Sequence, residues 1–168
     1  AEYSSRLVFA GDTDGDGYDD VAVGKDYGVY GGWVYVHLGG AEGLEQLAAT
    51  ELDGNELYGT DWFGDALSGA GDMNGDGYAD LAVGTPRYII DGESVGKLEV
   101  YLGSAQSIEG EPAITLADRA YPASYAMSLA SAGDLDRDGY DDLLVGTGTA
   151  GDDLVGELEG LGGVYVYR

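Results

Sequence analysis

Asp72-Met73-Asn74-Gly75-Asp76-Gly77-Tyr78-Ala79-Asp80 runs directly into Leu81-Ala82-Val83-Gly84. An acidic turn bearing glycine thus feeds a short apolar run of strand-forming composition. The same device stands at Asp12-Thr13-Asp14-Gly15-Asp16-Gly17-Tyr18-Asp19-Asp20, followed by Val21-Ala22-Val23-Gly24. It stands again at Asp134-Leu135-Asp136-Arg137-Asp138-Gly139-Tyr140-Asp141-Asp142, followed by Leu143-Leu144-Val145-Gly146. The first Asp recurs after 60 and then 62 residues. A period of that size marks an array of like units, each too small to bury its own apolar face.

The likeness extends to both sides of the turn. Upstream stand Leu7-Val8-Phe9-Ala10-Gly11, Leu67-Ser68-Gly69-Ala70-Gly71 and Leu129-Ala130-Ser131-Ala132-Gly133. Downstream stand Trp33-Val34-Tyr35-Val36-His37-Leu38, Leu98-Glu99-Val100-Tyr101-Leu102 and Val164-Tyr165-Val166-Tyr167. These segments alternate or run apolar over strand length and are bounded by turn residues. More polar fourth segments, Leu47 to Leu52 and Ala113 to Leu116, suit outer edge strands. No stretch sustains a helical period.

The expected fold is therefore all-β. Each unit is a four-stranded antiparallel sheet of propeller-blade build, the last lacking its outer strand. Residues 1–168 form a single repeat domain, with blade 1 at about 1–60, blade 2 at about 61–122 and an incomplete blade 3 at about 123–168. Three blades make an open arc or part of a larger propeller, because propellers hold about four to eight. Tyr27 to Gly32, Tyr88 to Gly96 and Thr147 to Gly162 read as turns and loops, the last as a solvated insertion.

Oxygen donors stand at positions 1, 3, 5 and 9 of each turn. They are Asp12, Asp14, Asp16 and Asp20; Asp72, Asn74, Asp76 and Asp80; and Asp134, Asp136, Asp138 and Asp142. The glycine at position 6 permits the bend that brings them to one centre. The backbone carbonyl of Tyr18, Tyr78 or Tyr140 at position 7 adds another oxygen. Hard oxygens at this density suit Ca²⁺, which takes about six to eight of them. Three calcium sites are expected, the middle one weaker because Asn74 removes a charge. Asp19 and Asp141 at position 8 read as solvent-facing. An EF-hand needs an acid at position 12 and a following helix, whereas Val23, Val83 and Val145 stand there and strands follow.

Phe63-Gly64 and the run from Gly71-Asp72 to Gly84-Thr85-Pro86 resemble the FG-GAP repeat of integrin α-subunit propellers and of many bacterial surface proteins. The likeness covers nearly the whole chain in three copies. The Phe-Gly pair becomes Tyr3-Ser4 and Tyr125-Ala126 in the flanking copies. The resemblance implies a calcium-binding extracellular or cell-surface propeller that engages proteins. The partners expected are calcium, blades of the same or another chain (a homo-oligomer included) and, as an alternative, a glycan.

Composition narrows the classes. Net charge is −25, from 32 acidic and 7 basic residues, which repels nucleic acid and anionic membrane. The acidity reads either as a solvated, salt-adapted surface or as divalent-cation binding, and its clustering in the turns favours the second. There is no Cys, so neither disulfide nor thiolate metal site is available. No apolar run is long enough to span a bilayer. No basic segment followed by an apolar stretch marks a signal peptide, so the start suits a processed chain or an excised fragment.

No catalytic residue is assigned. His37 is the single histidine and replaces the Tyr of the other copies. Trp33 and Trp62 read as packing anchors rather than sugar platforms. Asp61 and Asp65 form a conceivable glycosidase pair, outweighed by chance proximity among so many acids. The expected function is a non-enzymatic binding, adhesion or scaffolding module. A lectin, a part of a polysaccharide-active enzyme and a purely structural spacer are the alternatives.

Overall fold

A computed structural model describes residues 5–26, 31–54, 62–117, 124–148 and 163–168. The expected all-β architecture is found, with no helix among the described residues. The first sheet comprises β1 (Ser5–Gly11), β2 (Asp20–Asp26), β3 (Gly32–His37) and β4 (Thr50–Asp53), ordered as a simple antiparallel meander. Then come β5 (Ala66–Gly71), β6 (Asp80–Thr85), a small hairpin of β7 (Ile89–Ile90) and β8 (Glu93–Ser94), β9 (Lys97–Tyr101) and β10 (Ile114–Leu116). In this second sheet β5, β6, β9 and β10 repeat the meander, and the hairpin stands outside it. Finally β11 (Ser128–Gly133), β12 (Asp142–Gly146) and β13 (Val164–Tyr167) form a three-stranded sheet.

Three details depart from the sequence expectations. Both edge strands start later than the segments assigned to them, at Thr50 and Ile114: Ala49 and Ala113 still donate to Val36 O and Val100 O, but Leu47 is exposed and off the ladder. The stretch from Tyr88 to Gly96 is not plain loop, since β7 and β8 pair across Asp91-Gly92. Gly32, read as loop, begins β3; residues 27–30 and 149–162 lie outside the described residues.

Every first strand carries a bulge one residue before its acidic turn. The register slips between Phe9 and Gly11, Gly69 and Gly71, and Ser131 and Gly133. The extra residue twists the strand out of its ladder and aims the following Asp across the sheet end.

The sheets stack face to face. The first-to-second junction buries Ala10, Ala22, Val34, Val36 and Leu52 against Phe63, Leu67, Leu81, Val83 and Tyr101. The second-to-third junction repeats it with Ala70, Ala82, Leu98 and Val100 against Tyr125, Leu143 and Val145. Each fully buried aliphatic side chain here contributes about 1.5–3 kcal/mol relative to exposure. The glycine closing each Val-Ala-Val-Gly-type run is a point of close approach. A Cβ on Gly24 would lie 2.4 Å from the Gly64 carbonyl oxygen, and one on Gly84 2.3 Å from that of Ala126. The turn opening the next blade rests on that bare backbone. Beyond these junctions, the outward face of the first sheet leaves Leu7 68% and Phe9 75% exposed, and the far face of the third leaves Val164 70% exposed.

Candidate metal-binding loops

The three acidic turns share one backbone scaffold. Asp12 at position 1 turns its carboxylate back into its own loop, where Oδ1 accepts from Gly15 N at 2.7 Å and Asp16 N at 3.0 Å, and Oδ2 from Gly17 N at 2.9 Å. Asp72 repeats all three bonds, to Gly75, Asp76 and Gly77. Asp134 makes the last two, to Asp138 and Gly139. The position-5 carboxylates of Asp16, Asp76 and Asp138 each accept from the N–H of the Tyr two residues on, at 2.9 to 3.0 Å. Short Asp side chains that bond nearby N–H groups favour turns over ladders.

Asp20, Asp80 and Asp142 at position 9 are buried and begin β2, β6 and β12. Their Oδ2 atoms accept from the N–H at position 2: Thr13 at 2.8 Å, Met73 at 2.9 Å and Leu135 at 2.7 Å. The Thr13 hydroxyl joins Asp20 as well. Oδ1 of Asp20 and of Asp80 accepts from Gly39 N at 2.8 Å and Gly103 N at 3.0 Å, just past the third strand of each blade. The position-9 acid therefore has a second role that the motif does not disclose, since it braces the sheet end.

One carboxylate oxygen each from Asp12, Asp14 and Asp20 lies within 4.8 Å of the others, and the same holds for Asp134, Asp136 and Asp138. The first loop thus gathers positions 1, 3 and 9, and the third gathers 1, 3 and 5. Asp16 and Asp142 stand outside these groups. In the middle loop the Asn74 amide donates to Asp76 Oδ2 at 2.8 Å, so an amide lies against the position-5 acid. In the third loop Arg168 Nη1 lies 3.3 Å from Asp136 Oδ2. Tyr18 and Tyr140 are exposed and Tyr78 is half-buried.

The electrostatics are those of crowded like charges. Burial, then the charges of Asp16, Asp20 and Asp12, hold Asp14 above the ordinary carboxylate range, against a lowering bond from Asp16 N. Burial pushes Asp80 up to about 6; the Gly103 and Met73 N–H groups pull it down, while the charges of Asp76 and Asp72 push it up. Carboxylate and amide oxygens on a preformed turn match the donor set of a hard divalent cation, which would offset this repulsion.

Asp19 is exposed, as expected. Asp141 is not the solvent-facing residue its sequence position suggests. Its Oδ2 accepts from Asp72 N at 3.0 Å, and its own N–H donates to Asp72 O at 3.0 Å, so it docks on the neighbouring blade's loop. The residue one blade back, Ala79, makes only the backbone half of this contact, to Asp12 O at 2.9 Å.

The other residues weighed from sequence have structural partners. Asp65 is held by Arg6, with Nη2 to Oδ1 at 3.4 Å, and Asp61 lies outside the described residues. His37 Nδ1 lies 3.1 Å from the Glu45 carbonyl oxygen. The Arg87 guanidinium stacks 3.6 Å above the Trp62 ring. A cavity of about 280 Å³ at the first junction is lined by Asp53, Phe63, Tyr101 and the buried Lys97–Glu99 ion pair, 3.1 Å apart. Among the described residues no helix is long and apolar enough to cross a membrane.

Antiparallel meanders stacked through apolar faces, each with an acidic turn between its first two strands at the same corner, are blades of the β-propeller class. The sheets are not closed into a ring. The FG-GAP-like repeat matches residues 72–145 and the FG-GAP repeat residues 126–167. The chain is 34% identical to integrin alpha-PS2 of Drosophila melanogaster over 86% of its own length and 11% of that protein. It is 30% identical to integrin alpha-8 of Homo sapiens over 100% of its length and 16% of that protein. Against integrin alpha-6 of Gallus gallus it is 34% identical over 81% of its length and 12% of that protein. The chain belongs to the FG-GAP repeat family, and it spans a small fraction of the length of these relatives.

Proposed function

We propose that this chain is a calcium-stiffened set of propeller blades from an extracellular adhesion or scaffolding module, without catalytic activity. The observation that carries the reading is the convergence of Asp12, Asp14 and Asp20, and of Asp134, Asp136 and Asp138, each within 4.8 Å on a turn whose backbone is already shaped. The proposed ligands are the oxygens at positions 1, 3, 5 and 9 with the position-7 carbonyl: Asp12, Asp14, Asp16, Tyr18 and Asp20 in the first loop, and their counterparts in the other two. Asp16, Asp142 and the acids of the middle loop stand outside the two groups, and for Asp16 and Asp76 the part in binding is what the variants below test. Similarity to integrin α-subunits supports the adhesive, cell-surface setting and a protein partner. The exposed faces bearing Phe9 and Val164 suit further blades of like build, whether in the same chain or in a second copy. The glycan alternative gains no support from the first-junction cavity, which is at the small end of ordinary ligand sites of about 300–1,000 Å³ and has three acids, Asp53, Glu99 and Glu111, against the single Lys97.

The test is thermal unfolding in chelator and in saturating calcium, with calorimetric titration. Calcium raises the Tm, by about 2.7 kcal/mol of stability per site at a hundredfold excess over Kd. Asp16→Ala, Asp76→Ala and Asp138→Ala each remove one binding event. An unchanged Tm, or full stoichiometry in all three variants, refutes the assignment.

A further inference from the structure

The middle loop differs from the first in two ways that offset each other. At position 3 it has Asn74 where the first loop has Asp14, a loss of one negative charge. At the N–H of its first ligand candidate, Asp72, it gains a carboxylate from outside, Asp141 of the following blade, at 3.0 Å. The first loop has Ala79 at the equivalent contact and keeps only the backbone bond to Asp12 O. The approach is close. A Cβ on Gly71 would lie 2.0 Å from Asp141 Oδ2, so the bare glycine beside Asp72 is what admits the carboxylate.

Asp72 therefore has two loyalties. Its carboxylate is tied into its own loop by Gly75, Asp76 and Gly77, and its backbone N–H and C=O are tied to Asp141. Whatever fixes one set fixes the other, because both belong to a single residue. We infer that Asp141 is a positioning residue for the middle cation site, supplying from the next blade the negative charge that Asn74 lacks and an acceptor for the Asp72 N–H. It is not a ligand. It orients Asp72 and adds negative potential, so cation binding in the middle loop and docking of the third blade are thermodynamically linked. The inference rests on the calcium reading of the loops. By reciprocity, a cation in the middle loop tightens the third blade as much as that blade tightens the cation.

The test is calorimetric titration of the full chain with Ca²⁺, paired with amide hydrogen exchange. Asp141→Asn keeps size and an acceptor oxygen but removes the charge, and weakens the middle site by about threefold. Asp141→Ala removes both, and weakens it by about tenfold. The first affinity stays unchanged, and the third, in whose turn Asp141 itself stands, falls only by the loss of one nearby charge in Asp141→Asn and no further in Asp141→Ala. Asn74→Asp added to Asp141→Asn restores the middle affinity. Ala79→Asp, which gives Asp12 N the acceptor it lacks, tightens the first site. Saturating calcium slows exchange of the Asp141 N–H more in the wild type than in Asp76→Ala, where only the third loop remains to protect it. A wild type that binds no calcium sinks the loop reading itself. A wild type that binds normally, with variants whose stability falls equally in chelator and in calcium and whose middle affinity is unmoved, overturns the linkage alone and leaves Asp141 a plain inter-blade brace.

Discussion

Asp80→Asn separates the two roles of the position-9 acid. In the wild type without a cation, the Asp80 carboxyl is raised from 3.8 to about 6, chiefly by burial. At about 1.4 kcal/mol per unit, keeping it ionised at pH 7 costs on the order of 2–3 kcal/mol. The amide removes that cost. It also replaces one acceptor oxygen by an NH2 group, facing either Met73 N or Gly103 N, which sit 2.9 and 3.0 Å from the two carboxylate oxygens. The ionisation cost is already net of the charge-assisted bonds; what the amide adds is a buried N–H facing an NH2 group with no acceptor, at about 1–3 kcal/mol. The two effects nearly cancel, so in chelator at pH 7 the variant should unfold within about 1 kcal/mol of wild type. In saturating calcium the sum changes. The cation holds Asp80 ionised in the wild type, and the variant forfeits most of that site's stabilisation, about 2.7 kcal/mol at a hundredfold excess over Kd. Urea unfolding of both proteins, in chelator and in calcium, measures the difference. The pH arm fixes the sign. A folded pKa above the unfolded one means that the folded state binds more protons, so wild-type stability in chelator falls as pH rises from about 4 through about 6. The variant lacks this component. An equal loss for the variant in both conditions, or a wild type that gains stability across that window through Asp80, would refute the reasoning.

Two further predictions probe the packing and the third loop. Leu81→Ala removes a fully buried side chain from the first junction, where it packs with Val34, Val36 and Phe63. It should cost about 2–5 kcal/mol and lower the Tm by about 10 °C while leaving calcium stoichiometry intact. A loss below about 1 kcal/mol would mean that this junction is not a well-packed core. Arg168→Ala frees Asp136 from a guanidinium 3.3 Å away. Because the pair is exposed, calcium should bind the third loop tighter by less than about threefold, and weaker binding in titration would show that the arginine supports the loop rather than competing with the ion.

How far the fold could be read depended on how local its causes are. Positions 1 to 9 of each turn and the Val-Ala-Val-Gly-type run after it specify a turn and a strand from neighbouring residues alone, and the meander followed. The β7–β8 hairpin is legible on the same terms, although composition alone makes the stretch look like plain loop. Asp91-Gly92, with φ of 50° and 86°, is an Asp-Gly pair between Ile89-Ile90 and Glu93-Ser94 and carries the positive φ pair of a tight hairpin turn. The second role of Asp20 and Asp80 was less accessible, because Gly39 and Gly103 donate from 19 and 23 residues away. Asp141 was out of reach: its partner lies 69 residues back, on another sheet, and a charged residue beside the motif looks like solvated surface until the blades are stacked.

The stacking also explains a difference among the turns that cation chemistry leaves unexplained. Position 4 contributes no proposed ligand, yet it is Gly15 and Gly75 in the first two loops and Arg137 in the third. A Cβ on Gly15 would lie 2.8 Å from the Tyr78 ring, and one on Gly75 2.8 Å from the Tyr140 ring. The glycine is there for the next blade's tyrosine, which lies across the loop. Arg137 has a Cβ, holds φ at 64°, and has no such ring laid over it by a following blade among the described residues. Position 4 therefore reports what stacks on a loop, while positions 1, 3, 5 and 9 report what binds within it. Two copies joined head to tail would bring Tyr18 onto Arg137. That contact cannot reproduce the two junctions inside the chain unless the ring shifts off the Cβ. Gly15 and Gly75 define the kind of surface that Tyr18, itself exposed, is shaped to meet.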